Sequence, residues 1–360
     1  MRRLPLLLVP AVLLAACGGD DAPDEPTVFD AYVAERAGGQ WRAQGDETVE
    51  VWVCRVPADT TAAIYGDLPL RAPIAAPTLA NVFQQQVSRY FHRISHTVYS
   101  PSFVAGGDVA LAADDGPEQC VSAALDQASA QADVVLAVAD AEHVEGEVGG
   151  MGSGGDPTAI DAAAGATRRY AYVGAADFDR ATWGDTPPLD LVQHELGHAL
   201  GWEHSGVTDD DQYLSALDLM SNSAAPRDTL PDRRDAPDVI AIHRAAAGWL
   251  TDADITQADP EGATTVTLVR STRDDGMRLL VLPVDASSFL TVELLEPEGY
   301  DDHLPEAGLA VHLVHLDGGI DPQIAAPPFT DLLGPGDTAS VSGWRLTVAA
   351  DGAVTATPAP

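Results

Sequence analysis

The stretch QHELGHALGWEHS, Gln193 to Ser205, decides the reading of this chain, because it packs His194, His198 and His204 beside Glu195 and Gly201. Leu189, Val192, Leu196 and Leu200 recur at helical spacing, so the first part predicts a helix with one apolar side. Residues four apart stand above one another on a helix, which aims the imidazoles of His194 and His198 at one point. A third imidazole further along the same helix could not close on that point. Gly201 supplies the bend, since glycine takes a positive φ without steric cost, and His204 can then come back to meet the other two. Three neutral imidazoles suit zinc and leave its fourth position open for water. Glu195 is poorly placed as a ligand but well placed as a general base toward that water, whose pKa zinc lowers toward about 7. The spacing thus predicts a three-histidine zinc site with a built-in base.

The extended pattern HExxHxxGxxH fixes five identities at once and resembles the metzincin clan of zinc endopeptidases. That clan carries a second mark, a tight turn with a methionine beneath the metal, and Met220 in SALDLMSNS matches it. The resemblance implies a catalytic domain with a twisted mixed sheet plus helices, an active-site helix, and a lower lobe after the third histidine. An extended polypeptide substrate would lie in the cleft between the lobes. Within the clan, HELGHALGWEHS and the later AAAGWL look most like the gametolysin type and the relatives of immune inhibitor A. Some members place a tyrosine two residues after the turn methionine, where this chain has Asn222; Tyr213 is nearby but reads as a packing residue.

Composition narrows the function. Acidic residues outnumber basic ones 55 to 19, a net charge of −36, and every one of those basic residues is arginine. Such a surface repels phosphate backbones and anionic lipid, so nucleic-acid binding is not expected. Calcium is the other ion so acidic a chain could take. The run Asp209 to Asp211 lacks the twelve-residue calcium-loop pattern, however, and reads as a solvated loop.

The N-terminus MRRLPLLLVPAVLLAAC has a basic start, a short apolar run and small residues before Cys17. It resembles a bacterial lipoprotein signal, residues 1–17, with lipid on Cys17. The protein is then expected outside the cytoplasm, lipid-anchored or secreted, and monomeric, with membrane contact only through the anchor. Cys54 and Cys120 remain as a disulfide candidate in an oxidising compartment.

Residues 18–47, rich in Gly, Pro and acid, read as a flexible tether. Residues 48–250 mix elements: strands at Thr48–Val56, around Tyr99–Leu111, at DVVLAVAD and at RRYAYVG. Helices are expected over the segment carrying Leu79, Phe83, Val87, Tyr90 and Ile94, over PEQCVSAALDQASAQA, and over PDVIAIHRAAAGWL. GEVGGMGSGGDP lacks a phosphate-loop lysine and reads as an exposed loop. Residues 251–360 carry short strand-like runs and read as a separate small all-β module. His312 and His315 in one of those runs read as surface or packing residues. The fold class is therefore α+β: a metzincin-like catalytic domain, then a β-rich module. The function expected is zinc-dependent endopeptidase; a zinc-holding binding lipoprotein without turnover, or an amidase on non-protein amides, would be the alternatives.

Overall fold

The computed structural model describes residues 26–37, 43–63, 70–143, 150–153, 168–175, 189–206, 213, 215–317, 319–323 and 332–359. The expected signal with Cys17, Asp209 to Asp211 and parts of the expected tether lie outside the described residues. The chain is α+β. Among the described residues no helix is long and apolar enough to cross a membrane.

The first half is built on a five-stranded sheet. Strands β1 (Gly45–Arg55), β2 (Tyr99–Ala110), β3 (Val134–Ala139), β4 (Gly150–Gly152) and β5 (Arg169–Val173) run in the order β2-β1-β3-β5-β4. All neighbours are parallel except β4, which pairs antiparallel with β5 at the edge. A strand's successive side chains point to opposite faces, and β3 is buried on both. Val134, Leu136 and Val138 face one core, while Val135, Ala137 and Ala139 face the other. That two-sided burial explains why this strand reads as a continuous apolar run.

Helix α4 (Pro117–Gln127) covers one face, and there Cys54 and Cys120 form a disulfide with Cα atoms 5.8 Å apart, closing a loop of 66 residues. The chain-entropy model gives such a bridge about 4 kcal/mol. The other face is covered by α2 (Ala76–Gln85), α3 (Val87–Ile94) and α5 (Leu189–Ala199). One helix was expected over α2 and α3; the chain instead breaks at Gln86, whose φ is −116°. Leu79, Phe83, Val87, Tyr90 and Ile94 are all buried across that break.

The second half holds two sheets. Five strands, β6 (Ile255–Gln257), β8 (Leu279–Pro283), β9 (Ser288–Leu295), β10 (Gly308–His315) and β11 (Ile320–Pro322), form one. Four strands, β7 (Thr264–Thr267), β12 (Thr338–Val341), β13 (Trp344–Val348) and β14 (Ala353–Pro358), form the other. Leu280, Leu290 and Val311 of the first sheet share a core with Trp344, Leu346 and Val354 of the second.

Two expectations about boundaries need correction. The tether is not flexible throughout: Val28–Ala37 form helix α1, whose Phe29 and Tyr32 pack edge-on against Phe289 at 5.5 and 5.6 Å. Nor is the β-rich half separate. Helix α7 (Ala241–Ala246), shorter than the segment expected to be helical, shares a core with α1, β8, β9 and β10. Both oxygens of Glu293 on β9 accept the Ala241 N–H, at 3.0 and 2.9 Å, and burial pushes that carboxyl up to about 8. Arg244, fully buried, donates to the Ile94 carbonyl at 2.9 Å and the Ser271 hydroxyl at 2.5 Å, and pairs with Asp238. Arg270 reaches the same Asp238, at 3.2 Å. Breaking a buried charge pair costs about 3–5 kcal/mol, so these contacts hold the two halves as one body. A short helix α6 (Pro226–Thr229) lies between α5 and α7 in sequence.

Candidate metal centre

Helix α5 carries the first two histidines and Glu195, and it ends as the sequence predicts. Gly201 has φ +80°, its N–H bonds to the His198 carbonyl at 2.8 Å, and the Trp202 N–H bonds to the Gly197 carbonyl at 3.1 Å. This pair of bonds around a left-handed residue is a Schellman end, and it turns the chain so that His204 faces the helix. The Nε2 atom of His204 lies 3.2 Å from that of His194 and 2.9 Å from that of His198. Among the described residues this is the one cluster of three or more such side chains with metal-ligating spacing.

The tautomers follow from the partners. Nδ1 of His194 faces the Leu219 carbonyl at 2.8 Å, and Nδ1 of His198 faces the Trp202 carbonyl at 2.8 Å. A carbonyl only accepts, so both Nδ1 atoms carry the proton and both Nε2 atoms present lone pairs. Burial pushes His194 down to about 4 and lowers His198 well below the usual histidine range, with His204 lowered too. Neutral rings with lone pairs converging at about 3 Å repel one another unless a cation sits among them. Donors about 2.1 Å from a tetrahedral ion stand ~3.4 Å apart, close to the spacing here, so the donor set fits zinc. The cluster itself shows only that a metal ion could be held.

The turn beneath the histidines is held from below. Met220 is fully buried, and a Cβ added to Gly197 would meet its sulfur at 2.4 Å, so the methionine presses against the underside of α5. Asp218, two residues earlier, accepts the Ser205 hydroxyl at 2.5 Å and the Ile240 N–H at 3.2 Å. His243 stands 3.2 Å from the same carboxylate. Next to Ser205, the Gly206 N–H donates to the Ile320 carbonyl of β11 at 3.0 Å. Arg36 of α1 comes within 3.9 Å of Glu203. The segment bearing the third histidine thus rests on the β-rich half and on α1.

Glu195 is buried, and its Oε2 has no hydrogen-bond partner among the described residues. Burial raises its pKa well above the usual carboxylate range. The carboxylate lies against β4: a Cβ on Gly150 would meet Oε1 at 2.0 Å, and one on Gly152 would meet the His198 Cβ at 2.3 Å. The glycine-rich segment is therefore not an exposed loop over these three residues. It is an edge strand whose two glycines, without side chains, let it press on the histidine helix. Tyr213 also belongs to the site, with its hydroxyl 3.3 Å from His204 Nε2, whereas the sequence suggested packing alone. Of the other histidines, His312 and His243 are buried, and His315 pairs with Asp321 at 3.4 Å.

No family model matches the chain, and no curated protein matches it.

Proposed function

We propose that the chain is a zinc-dependent metalloendopeptidase of metzincin type working outside the cytoplasm, tethered by lipid on Cys17 or secreted. The observation that carries this reading is the meeting of three imidazole Nε2 atoms beside a buried carboxyl group, one oxygen of which has no hydrogen-bond partner among the described residues. A binding site would have no use for that carboxyl; hydrolysis does.

His194, His198 and His204 would hold the ion. When bound, the ion supplies positive charge that polarises the scissile carbonyl and makes water more acidic. Glu195 takes a proton from the attacking water and passes it to the departing amine as the C–N bond breaks, which balances the hydrolysis. Its raised affinity for protons, set by burial, suits both halves of that transfer. Strand β4 stands last in its sheet, so an extended peptide can add to it along the helix. The Cys54–Cys120 disulfide agrees with an oxidising compartment.

The test is cleavage of an unfolded polypeptide by the purified protein. New N-termini are expected with zinc present, loss of cleavage after chelation, and recovery on adding zinc. Intact substrate in the presence of zinc-loaded protein would refute the peptidase reading and point to metal-dependent binding.

A further inference from the structure

Asp218 has no task in the hydrolysis as described, yet it is a fully buried carboxylate behind the histidines. An anion in a protein interior is costly unless a cation answers it. The buried guanidinium groups of Arg244 and Arg270 both go to Asp238 instead. Asp218 is held by the Ser205 hydroxyl at 2.5 Å, the Ile240 N–H at 3.2 Å and the His243 ring at 3.2 Å. Burial raises its pKa, but the His243 ring and these hydrogen bonds outweigh burial and bring it below the usual carboxylate range. It therefore stands ionised, facing a hydroxyl, an amide and one imidazole.

Two of the three histidines are tied to this carboxylate through a neighbouring residue. Ser205 follows His204, and its N–H also bonds to the Met220 carbonyl at 3.0 Å. Leu219 follows Asp218, and its carbonyl faces Nδ1 of His194 at 2.8 Å. The carboxylate acts through space as well. Burial lowers the proton affinity of His194 and of His204, and the Asp218 charge works against it at both rings. A field that favours a proton on a ring also favours a metal cation beside it. We infer that Asp218 is a positioning residue of the metal centre, pinning the chain behind His194 and His204 and setting a fixed negative charge behind the ion. The inference rests on the metal-site reading above. It makes α7, through Ile240 and His243, a support of the centre rather than a distant part of the fold.

Asp218→Asn keeps the size and one acceptor oxygen and removes the charge. Ser205→Ala keeps the charge and cuts the link to His204. Zinc dissociation constants, measured by competition with a coloured chelator, are expected to rise about 10–100-fold in the first and about 10-fold in the second, the scale for groups that support metal ligands. Cobalt(II) in place of zinc reports the placing of the imidazoles through its visible absorption, and both variants should differ there from the unaltered protein. Leu346→Ala, which hollows the core shared by the two C-terminal sheets, controls for lost stability. Its zinc affinity and cobalt spectrum should stay as they were. Unchanged affinity and spectrum in Asp218→Asn and Ser205→Ala would overturn the inference while leaving the three-histidine site standing, and so would an equal loosening of zinc in Leu346→Ala. Should Asp218→Asn fail to fold, Ser205→Ala decides by the same two measurements. Failure of the unaltered protein to bind either metal would overturn the inference and the metal-site reading together.

Discussion

The Glu195→Gln protein is expected to hydrolyse a fluorogenic peptide about 10³-fold more slowly in kcat/KM than the unaltered protein, with its zinc content unchanged. A positioned general base contributes about 10²–10⁴-fold to such reactions, and glutamine keeps the shape while removing the proton-accepting oxygen. The fold should not suffer. Glu195 is buried with an oxygen that finds no partner among the described residues, and burial already disfavours its ionised form. A neutral amide in the same space therefore costs nothing that the carboxylate did not. Thermal unfolding of the two proteins, measured beside the kinetics, separates the effects. Hydrolysis within a few-fold of the unaltered rate would mean that another group takes the proton.

Gly150→Ala should lower the same rate by about 10²-fold, the scale that a misplacement of about 1 Å imposes on a catalytic group. The added methyl would fall 2.0 Å from Glu195 Oε1 and 2.3 Å from its carboxyl carbon. Those atoms end a flexible side chain, so the carboxylate swings aside and the strand stays. Gly152→Ala is different. Its methyl would meet the His198 Cβ at 2.3 Å and the Glu195 backbone carbonyl at 2.8 Å, which cannot swing. Strand and helix must part, so this variant should lose stability and zinc as well as activity. Unfolding temperature, zinc content and peptide kinetics on both variants distinguish the two cases. Unchanged kinetics in Gly150→Ala would show that the carboxylate does not work from the position it occupies against β4.

The legible parts of this site are those that local geometry dictates. His194 and His198 meet because a helix has a fixed period. Gly201 bends because left-handed backbone favours glycine, and β3 reads as an apolar run because both its faces are buried. Met220 was legible only by likeness, since its contact with Gly197 crosses from one segment to another. Gly150 to Gly152 could not be read as a strand, because glycine shows no alternation and the pairing partner, β5, is distant in sequence. Helix α1 did leave a signal, Phe29, Tyr32, Val33 and Arg36 at helical spacing, but acidic and proline-rich neighbours hid it. The union of the two halves was not legible at all. It depends on buried charges such as Arg244, Asp238 and Glu293, which in a bare sequence look like surface residues.

Zinc per chain, measured after dialysis against a weak chelator, tests the three-imidazole centre most directly. One equivalent is expected in the unaltered protein. Near-complete loss is expected in each of His194→Gln, His198→Gln and His204→Gln, with the Cys54–Cys120 fold intact. Retention of zinc in the His204→Gln protein, or no zinc in the unaltered one, would contradict a centre built from these three rings.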